Sequence, residues 1–177
     1  MGLLVVQGIH MAAVILFALV LMIGAGYDVA SYRIPNLLSV AGLVAFAVAA
    51  VLARVTAPEI LVHLAAGLAV LVLGAGLFAV RMIGGGDVKL MAVTAVWTGF
   101  SLLPWFLAVM TLSGGVLAVL LLVARRLPVP RNWRQTEWIG RLLSPRQGVP
   151  YGVAIAIGGL TVLIRFGETE PLFGNWF

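Results

Sequence analysis

The sequence contains no cysteine among its 177 residues. Disulfide bonds and metal sites built on thiolates are therefore excluded. The two histidines, His10 and His63, have no carboxylate at the spacing of a metal ligand, so we expect neither a metal site nor a cofactor.

Charged residues are also scarce. They make up 10% of the chain, against about 25% in soluble domains, whereas 63% of the residues are hydrophobic and the mean hydropathy is +1.16. Because so few charges cannot cover a water-soluble globule, the composition predicts an integral membrane protein. The net charge of +5 has no accompanying nucleic-acid-binding motif, so we expect the basic residues to face anionic lipid rather than nucleic acid.

The hydrophobic residues form six runs, and a helix needs about 20 residues to cross a bilayer core. The runs are 4–27, 37–53, 60–80, 88–98, 102–124 and 151–165. They predict an all-α, polytopic fold of about six transmembrane helices in a single domain, 1–177. The first run lacks the basic residues that precede a signal-peptide core, so we expect it to be retained. Asn36 and Ser101 are predicted helix N-caps, and Pro150 suits the first turn of the last helix.

Residues 88–124 are too long for one crossing. As a single helix they would extend about 55 Å, whereas the bilayer core is about 30 Å thick. Gly99, Ser101 and Pro104 offer a break. The piece before the break is then only about 17 Å long, which predicts that its Asp87 end is recessed into the membrane.

The positions of the basic residues test this count, because cytoplasmic loops of membrane proteins are enriched in arginine and lysine. With six crossings, only Arg54 and Arg165 lie on one side of the membrane, and five crossings would divide the same eleven basic residues less unequally, seven against four. The nine basic residues that six crossings place on the other side are Arg33, Arg81, Lys89, Arg125, Arg126, Arg131, Arg134, Arg141 and Arg146. Both termini are therefore expected outside the cytoplasm, with Asp28 and Asp87 near the cytoplasmic face.

Asp28 and Asp87 are the only two aspartates in the chain. Asp28 ends the first run in "AGYDVASYRIPN", and Asp87 opens the fourth in "RMIGGGDVKLMA". Two carboxylates held close together share one proton and can activate a water between them, as in aspartic proteases. The preceding glycines, Gly84, Gly85 and Gly86, would let an extended substrate backbone approach closely.

Simpler interpretations exist for each of these residues. Asp87 could serve only as the N-cap of its helix, where aspartate is favoured. Asp28 could pair with Arg33 at the membrane interface. Lys89 could extend its ammonium group to the interface while its aliphatic stem stays buried.

Three stretches together resemble the type IV prepilin leader peptidases, which are polytopic aspartic proteases of the GxGD class: "DVASYRIPN", "GGGDVKLMA" and "GVPYGVAIAIGG". The resemblance implies that Asp28 and Asp87 are the catalytic pair and that Gly84 and Gly86 fill the glycine positions, with Gly85 between them. Other positions match the family without an assigned role: Arg33, Pro35, Asn36, Lys89, Pro150 and Tyr151. The implied activity is removal of the leader of a prepilin or pseudopilin at the cytoplasmic face of the bacterial inner membrane.

Longer members of that family have an additional N-terminal region with a cysteine-rich loop, and they also methylate the new N-terminus. This chain has neither feature, so it resembles the short, peptidase-only form found with Flp (tight-adherence) pili, and methyltransferase activity is not expected. Two other classes of function stay open, a small ion-coupled or proton-conducting transporter and a structural subunit of a pilus machine. A proton relay would place its carboxylates along a path through the membrane rather than at one face.

The basic segment 125–150 has two interpretations. From Trp133 to Leu143 the apolar side chains share one helical face, which is typical of an interfacial amphipathic helix that holds anionic lipid or the juxtamembrane part of a substrate. The segment could equally be a solvated loop that only determines membrane orientation. Nothing in the sequence defines an oligomeric state.

Overall fold

The computed structural model describes residues 2–128, 130, 136–145 and 147–169, without the side chains of residues 2–7, 9, 10 and 165–169. In this part of the chain all regular structure is helical, which confirms the prediction of an all-α fold. The helices are α1 (Gly2–Ser31), α2 (Asn36–Leu52), α3 (Ala57–Ala79), α4 (Gly85–Arg126), α5 (Glu137–Leu142) and α6 (Tyr151–Thr169).

Three of these helices are long and apolar enough to cross a membrane. They include Met11–Ser31 of α1, all of α3 and all of α4, whereas α2 and Tyr151–Ile164 are shorter apolar helices. Many large hydrophobic side chains on these helices are exposed, as expected of a surface that faces lipid. The predicted number of about six crossings stays a prediction.

The predicted break after residue 98 is present. Gly99 has φ 56° and ψ −174°, a backbone conformation that divides α4 into two helical segments, α4a (85–98) and α4b (100–126). His63 of α3 lies against this break, and its Nδ1 lies at hydrogen-bonding distance, 2.7 Å, from the carbonyl oxygen of Val96. Since a kink interrupts the helical hydrogen bonds, His63 supplies a partner for a carbonyl group that is buried in an apolar environment.

Contacts between helices show that the chain reverses direction at this break. α1 is antiparallel to α4a and to α6, and α4b is also antiparallel to α6, so α4a and α4b run in opposite directions. The residue pairs that establish this are Gly24–Leu90, Phe17–Trp97, Asp28–Gly152, Leu21–Gly159, Phe106–Gly158 and Gly114–Tyr151. The start of α4a, the end of α4b, the end of α1 and the start of α6 therefore meet at one end of the helical bundle.

An aromatic cluster fills the centre of the bundle below that end. Trp97 stacks on Phe17 with ring centroids 4.4 Å apart and meets the edge of Phe46 at 5.8 Å. The buried indole N–H donates a hydrogen bond to the carbonyl oxygen of Gly42, at 3.0 Å. This arrangement fixes α4a against α1 and α2 without leaving a buried polar group unpaired.

Two of the predicted N-caps are wrong. Pro35 occupies the N-cap position of α2, so Asn36 is the first helical residue and its side chain is used elsewhere. Ser101 lies within the first turn of α4b, because the break is at Gly99. Pro150 immediately precedes Tyr151, the first residue of α6.

The basic segment is described only in part. Residues 137–142 form the short helix α5, on which Trp138 is 45% exposed and Leu142 is half-buried. Trp133, Arg131, Arg134 and Arg146 lie outside the described residues. An interfacial amphipathic helix beginning at Trp133 therefore stays a prediction.

Candidate active site

The first carboxylate of the candidate site belongs to Asp28, one turn before the end of α1. Asp28 is only 4% exposed, and its Oδ2 accepts a hydrogen bond of 2.7 Å from the backbone N–H of Gly152 in the first turn of α6. A Cβ atom at Gly152 would lie 2.9 Å from both Oδ2 and the Cβ atom of Asp28. Only glycine therefore lets α6 approach close enough to donate this hydrogen bond.

The second carboxylate belongs to Asp87 in the first turn of α4a. Gly84 is the N-cap, so Asp87 is the third helical residue and the interpretation of this aspartate as the N-cap is wrong. A Cβ atom at Gly84 would lie 2.8 Å from Oδ2 of Asp87, whereas Gly85 faces Phe78 and Gly86 faces Ile34. The three glycines thus have separate roles, and only Gly84 contacts the carboxylate.

Both carboxylates line one cleft of about 910 Å³ at the end of the bundle where α1, α4a, α4b and α6 meet. They are close enough to interact electrostatically. The rest of the lining comes from the turn after α1, the end of α3 and its following turn, α4b and the approach to α6: Tyr32, Leu77, Phe78, Ala79, Arg81, Met82, Ile83, Gly84, Gly114, Ala118, Gly148, Val149 and Tyr151. The predicted pair of aspartates is therefore placed at one site by helices that are far apart in sequence.

Neither carboxylate forms a salt bridge with any residue that the structure describes. Arg33, the partner of Asp28 in the simpler interpretation, is exposed, and the ion pair between Arg141 and Glu137 is the only one among the residues that the structure describes. Within the same residues, no three His, Asp or Glu side chains are grouped as a metal site would require. Two neighbouring carboxylates without basic partners can hold a water and exchange a proton with it.

Lys89 and Asn36 connect α4a to the start of α2. Lys89 Nζ donates a hydrogen bond of 2.8 Å to Asn36 Oδ1, so its ammonium group binds the first residue of α2 rather than only extending to the interface. In the turn between α1 and α2, the side chain of Ile34 packs on Gly86, where an added Cβ atom would lie 3.1 Å away. Pro35 directs the chain into α2 at this point.

This connection predicts measurable coupling between Lys89 and Asn36. Lys89→Met and Asn36→Leu are each expected to lower the free energy of unfolding by no more than about 1 kcal/mol, because each removes one hydrogen bond between exposed groups that water can solvate. The double variant should lose less than the sum of the two, as measured by unfolding in detergent. Asn36→Asp, which keeps an acceptor oxygen, is the matched control. Fully additive losses would show that the hydrogen bond does not form.

Arg125 was not singled out by the sequence, although it organises one wall of the cleft. From the end of α4b, Nε donates to the carbonyl oxygen of Leu142 at 3.1 Å and Nη2 donates to that of Gly148 at 2.9 Å. The guanidinium group therefore ties α5 and the approach to α6 onto the bundle. In the sequence this arginine cannot be distinguished from the other arginines of the basic segment.

Tyr32 completes this wall. Burial raises the pKa of its phenol; the Arg125 guanidinium lowers it and the Asp28 carboxylate raises it further. The phenol therefore keeps its proton at neutral pH and donates a hydrogen bond to the carbonyl oxygen of Gly148, at 3.4 Å. Tyr32 also adopts the left-handed backbone conformation, with φ 53°, which ends α1 one turn beyond Asp28.

Comparison with known proteins identifies the family of this chain. Residues 15–119 match the type IV leader peptidase family, and the matched region includes both aspartates and the three glycines but ends before Pro150 and Tyr151. No curated protein and no solved structure gives a match. Since the match covers more than half of the chain, this protein belongs to the type IV leader peptidase family and is a peptidase.

Proposed function

We propose that this protein is an aspartic endopeptidase of the membrane, in which Asp28 and Asp87 form the catalytic pair that removes the leader of a prepilin-like substrate. One observation supports this proposal above all: the buried carboxylate of Asp28 and the half-buried carboxylate of Asp87, which no basic residue of the described structure pairs with, line the same cleft. A buried carboxylate in an apolar chain is costly and is typically retained for function. The family supplies the general activity, and the geometry supports these two residues as its agents.

In the proposed reaction the two carboxylates share one proton and hold a water between them. The ionised carboxylate takes a proton from the water while the water oxygen bonds to the carbonyl carbon of the substrate. The protonated carboxylate donates a hydrogen bond to the carbonyl oxygen. The carboxyl group that took the proton from the water then passes it to the amide nitrogen as the C–N bond breaks, so the pair returns to its singly protonated state.

The cleft also fits the two parts of such a substrate. Apolar side chains of Leu77, Phe78 and Met82 form its wall on the side of α3, where a hydrophobic helix can pack. The ionised carboxylate of the pair places one negative charge in the same cleft, which can attract a basic residue of the leader. We therefore propose that a prepilin or pseudopilin binds by its hydrophobic helix and is cleaved after its leader.

For the membrane topology, we propose six crossings with both termini outside the cytoplasm and the aspartates near the cytoplasmic face. The reversal at Gly99 supports two separate passages for α4a and α4b. The distribution of basic residues, nine against two, supports the orientation. The arginines of the segment 125–150 would then contact anionic lipid of the bacterial inner membrane.

The absence of native cysteine makes this topology directly testable. Arg54 and Gln147 are both exposed and lie in connections at opposite ends of the bundle. In intact cells, a membrane-impermeant maleimide is expected to label an Arg54→Cys variant and not a Gln147→Cys variant. Permeabilised cells should label both. The reverse pattern in intact cells would contradict the proposed orientation.

The proposed activity is tested by reconstitution. The purified protein is placed in vesicles with a type IV prepilin that carries a basic leader before its hydrophobic helix. We expect the leader to be released, with a new N-terminus that mass spectrometry identifies, and no methylation when S-adenosylmethionine is added. Intact prepilin together with proton flux that depends on Asp28 and Asp87 would instead identify a transporter.

A further inference from the structure

Tyr151, the first residue of α6, places its phenol in the same cleft as the two carboxylates. Its ring lies directly on Gly114 of α4b, where an added Cβ atom would lie 2.8 Å from Cε2 and 2.9 Å from the hydroxyl oxygen. This contact restricts the position of the ring, because glycine alone leaves room for it. The side chain is half-buried and therefore keeps access to the cleft.

The hydroxyl group of Tyr151 has no hydrogen-bond partner among the residues that the structure describes. This distinguishes it from Tyr32, the other tyrosine of the cleft, whose hydroxyl group is bound to Gly148. Because the side chain is only half-buried, this hydroxyl group stays accessible from the cleft. A bound molecule can therefore accept its hydrogen bond without displacing a partner within the described protein.

The position of Tyr151 relative to the carboxylates is fixed by the backbone. The next residue, Gly152, donates a hydrogen bond from its N–H group to the Asp28 carboxylate, so this carboxylate is bound to the same first turn of α6 that carries the phenol. The phenol is also close enough to Asp87 to interact with it electrostatically. A substrate carbonyl group placed between the carboxylates would therefore lie beside a phenolic donor.

We propose that Tyr151 is a further catalytic residue, whose hydroxyl group donates a hydrogen bond to the carbonyl oxygen of the scissile peptide bond. This inference rests on the proposed leader peptidase activity. The phenol keeps its proton throughout, so it forms no covalent bond and transfers no proton. It acts by stabilising the negative charge that develops on the oxygen in the tetrahedral transition state.

The test compares Tyr151→Phe with the wild type in the reconstituted prepilin assay. Phenylalanine keeps the ring that packs on Gly114 and removes only the donor. We expect kcat to fall about 100-fold with little change in KM, because the hydrogen bond forms mainly in the transition state. Tyr27→Phe removes an exposed hydroxyl group outside the cleft and should leave kcat unchanged.

Two neighbouring glycines provide the structural control. Gly114→Ala is expected to displace the ring of Tyr151 and lower kcat. In Gly115→Ala the added methyl group meets no other atom within 4 Å, so this variant should be neutral. An unchanged kcat in Tyr151→Phe would overturn the assignment, and a raised KM alone would show a role in binding rather than catalysis. When the wild-type protein cleaves prepilin and Asp28→Asn does not, the proposed function stands. An unchanged kcat or a raised KM alone in Tyr151→Phe then refutes only the catalytic role of Tyr151. If wild-type protein does not cleave, the proposed function itself fails.

Discussion

Asparagine in place of either Asp28 or Asp87 is expected to slow leader removal about a thousandfold or more, because each carboxylate takes part in proton transfer to or from the reacting groups. Asparagine is nearly the same size as aspartate but cannot accept or release a proton. The packing around Gly152 and Gly84 should therefore persist, and the protein should accumulate to normal levels. The measurement is kcat/KM for a purified prepilin, supported by the ratio of processed to unprocessed prepilin when the two proteins are expressed together.

Glu137→Gln is the matched control for this change of charge. Glu137 lies on α5, its side chain is 88% exposed, and its surface ion pair with Arg141 should contribute little to stability. Normal cleavage is expected from this variant. If either aspartate variant processes prepilin at the wild-type rate, the assignment of the catalytic pair is wrong.

Gly152→Ala should cause the second large loss of activity. The new methyl group would lie 2.9 Å from Asp28 Oδ2 and 3.2 Å from Cγ, so α6 or the carboxylate must move and the 2.7 Å hydrogen bond is weakened or lost. Displacement of a catalytic group by about 1 Å can lower the rate about 100-fold. We expect a loss of that size in kcat, measured with purified protein.

Gly26→Ala provides the comparison for Gly152→Ala. Gly26 lies on α1 two residues before Asp28, yet an added Cβ atom there meets no other atom within 4 Å. Alanine is also the better helix former, so this variant should be active and at least as stable as the wild type. Equal activity of the two variants would show that close contact between Gly152 and Asp28 is unimportant.

Some of the architecture could be predicted from local sequence and simple lengths. Residues 88–124 exceed the span of one crossing, and Gly99 is the residue that best tolerates the positive φ of a break. The break was therefore predictable, as was the helical class. The position of Asp87 at the start of a helix followed from the glycines before it.

Contacts between distant helices could not be predicted in this way. Asn36 has the side chain of an N-cap, but a lysine 53 residues away uses its oxygen. The role of Gly152 depends on Asp28, which precedes it by 124 residues. Likewise, His63 looked like an isolated histidine until its contact with Val96 at the helix break was known. A single sequence records residue types and not these pairings.

Chemical cross-linking tests directly whether Asp28 and Asp87 lie close together in one cleft of the protein in its membrane. Because the chain has no native cysteine, the two positions can be joined as an Asp28→Cys, Asp87→Cys double variant with short bifunctional thiol reagents. We expect cross-linking in native membranes, detected after proteolysis between the two sites, and no cross-linking when Tyr27→Cys replaces Asp28→Cys. An Ile34→Cys, Gly86→Cys pair, whose positions are in contact, confirms that the reagent enters this region. Cross-linking of this contact pair without cross-linking of positions 28 and 87 would contradict the proposed active site.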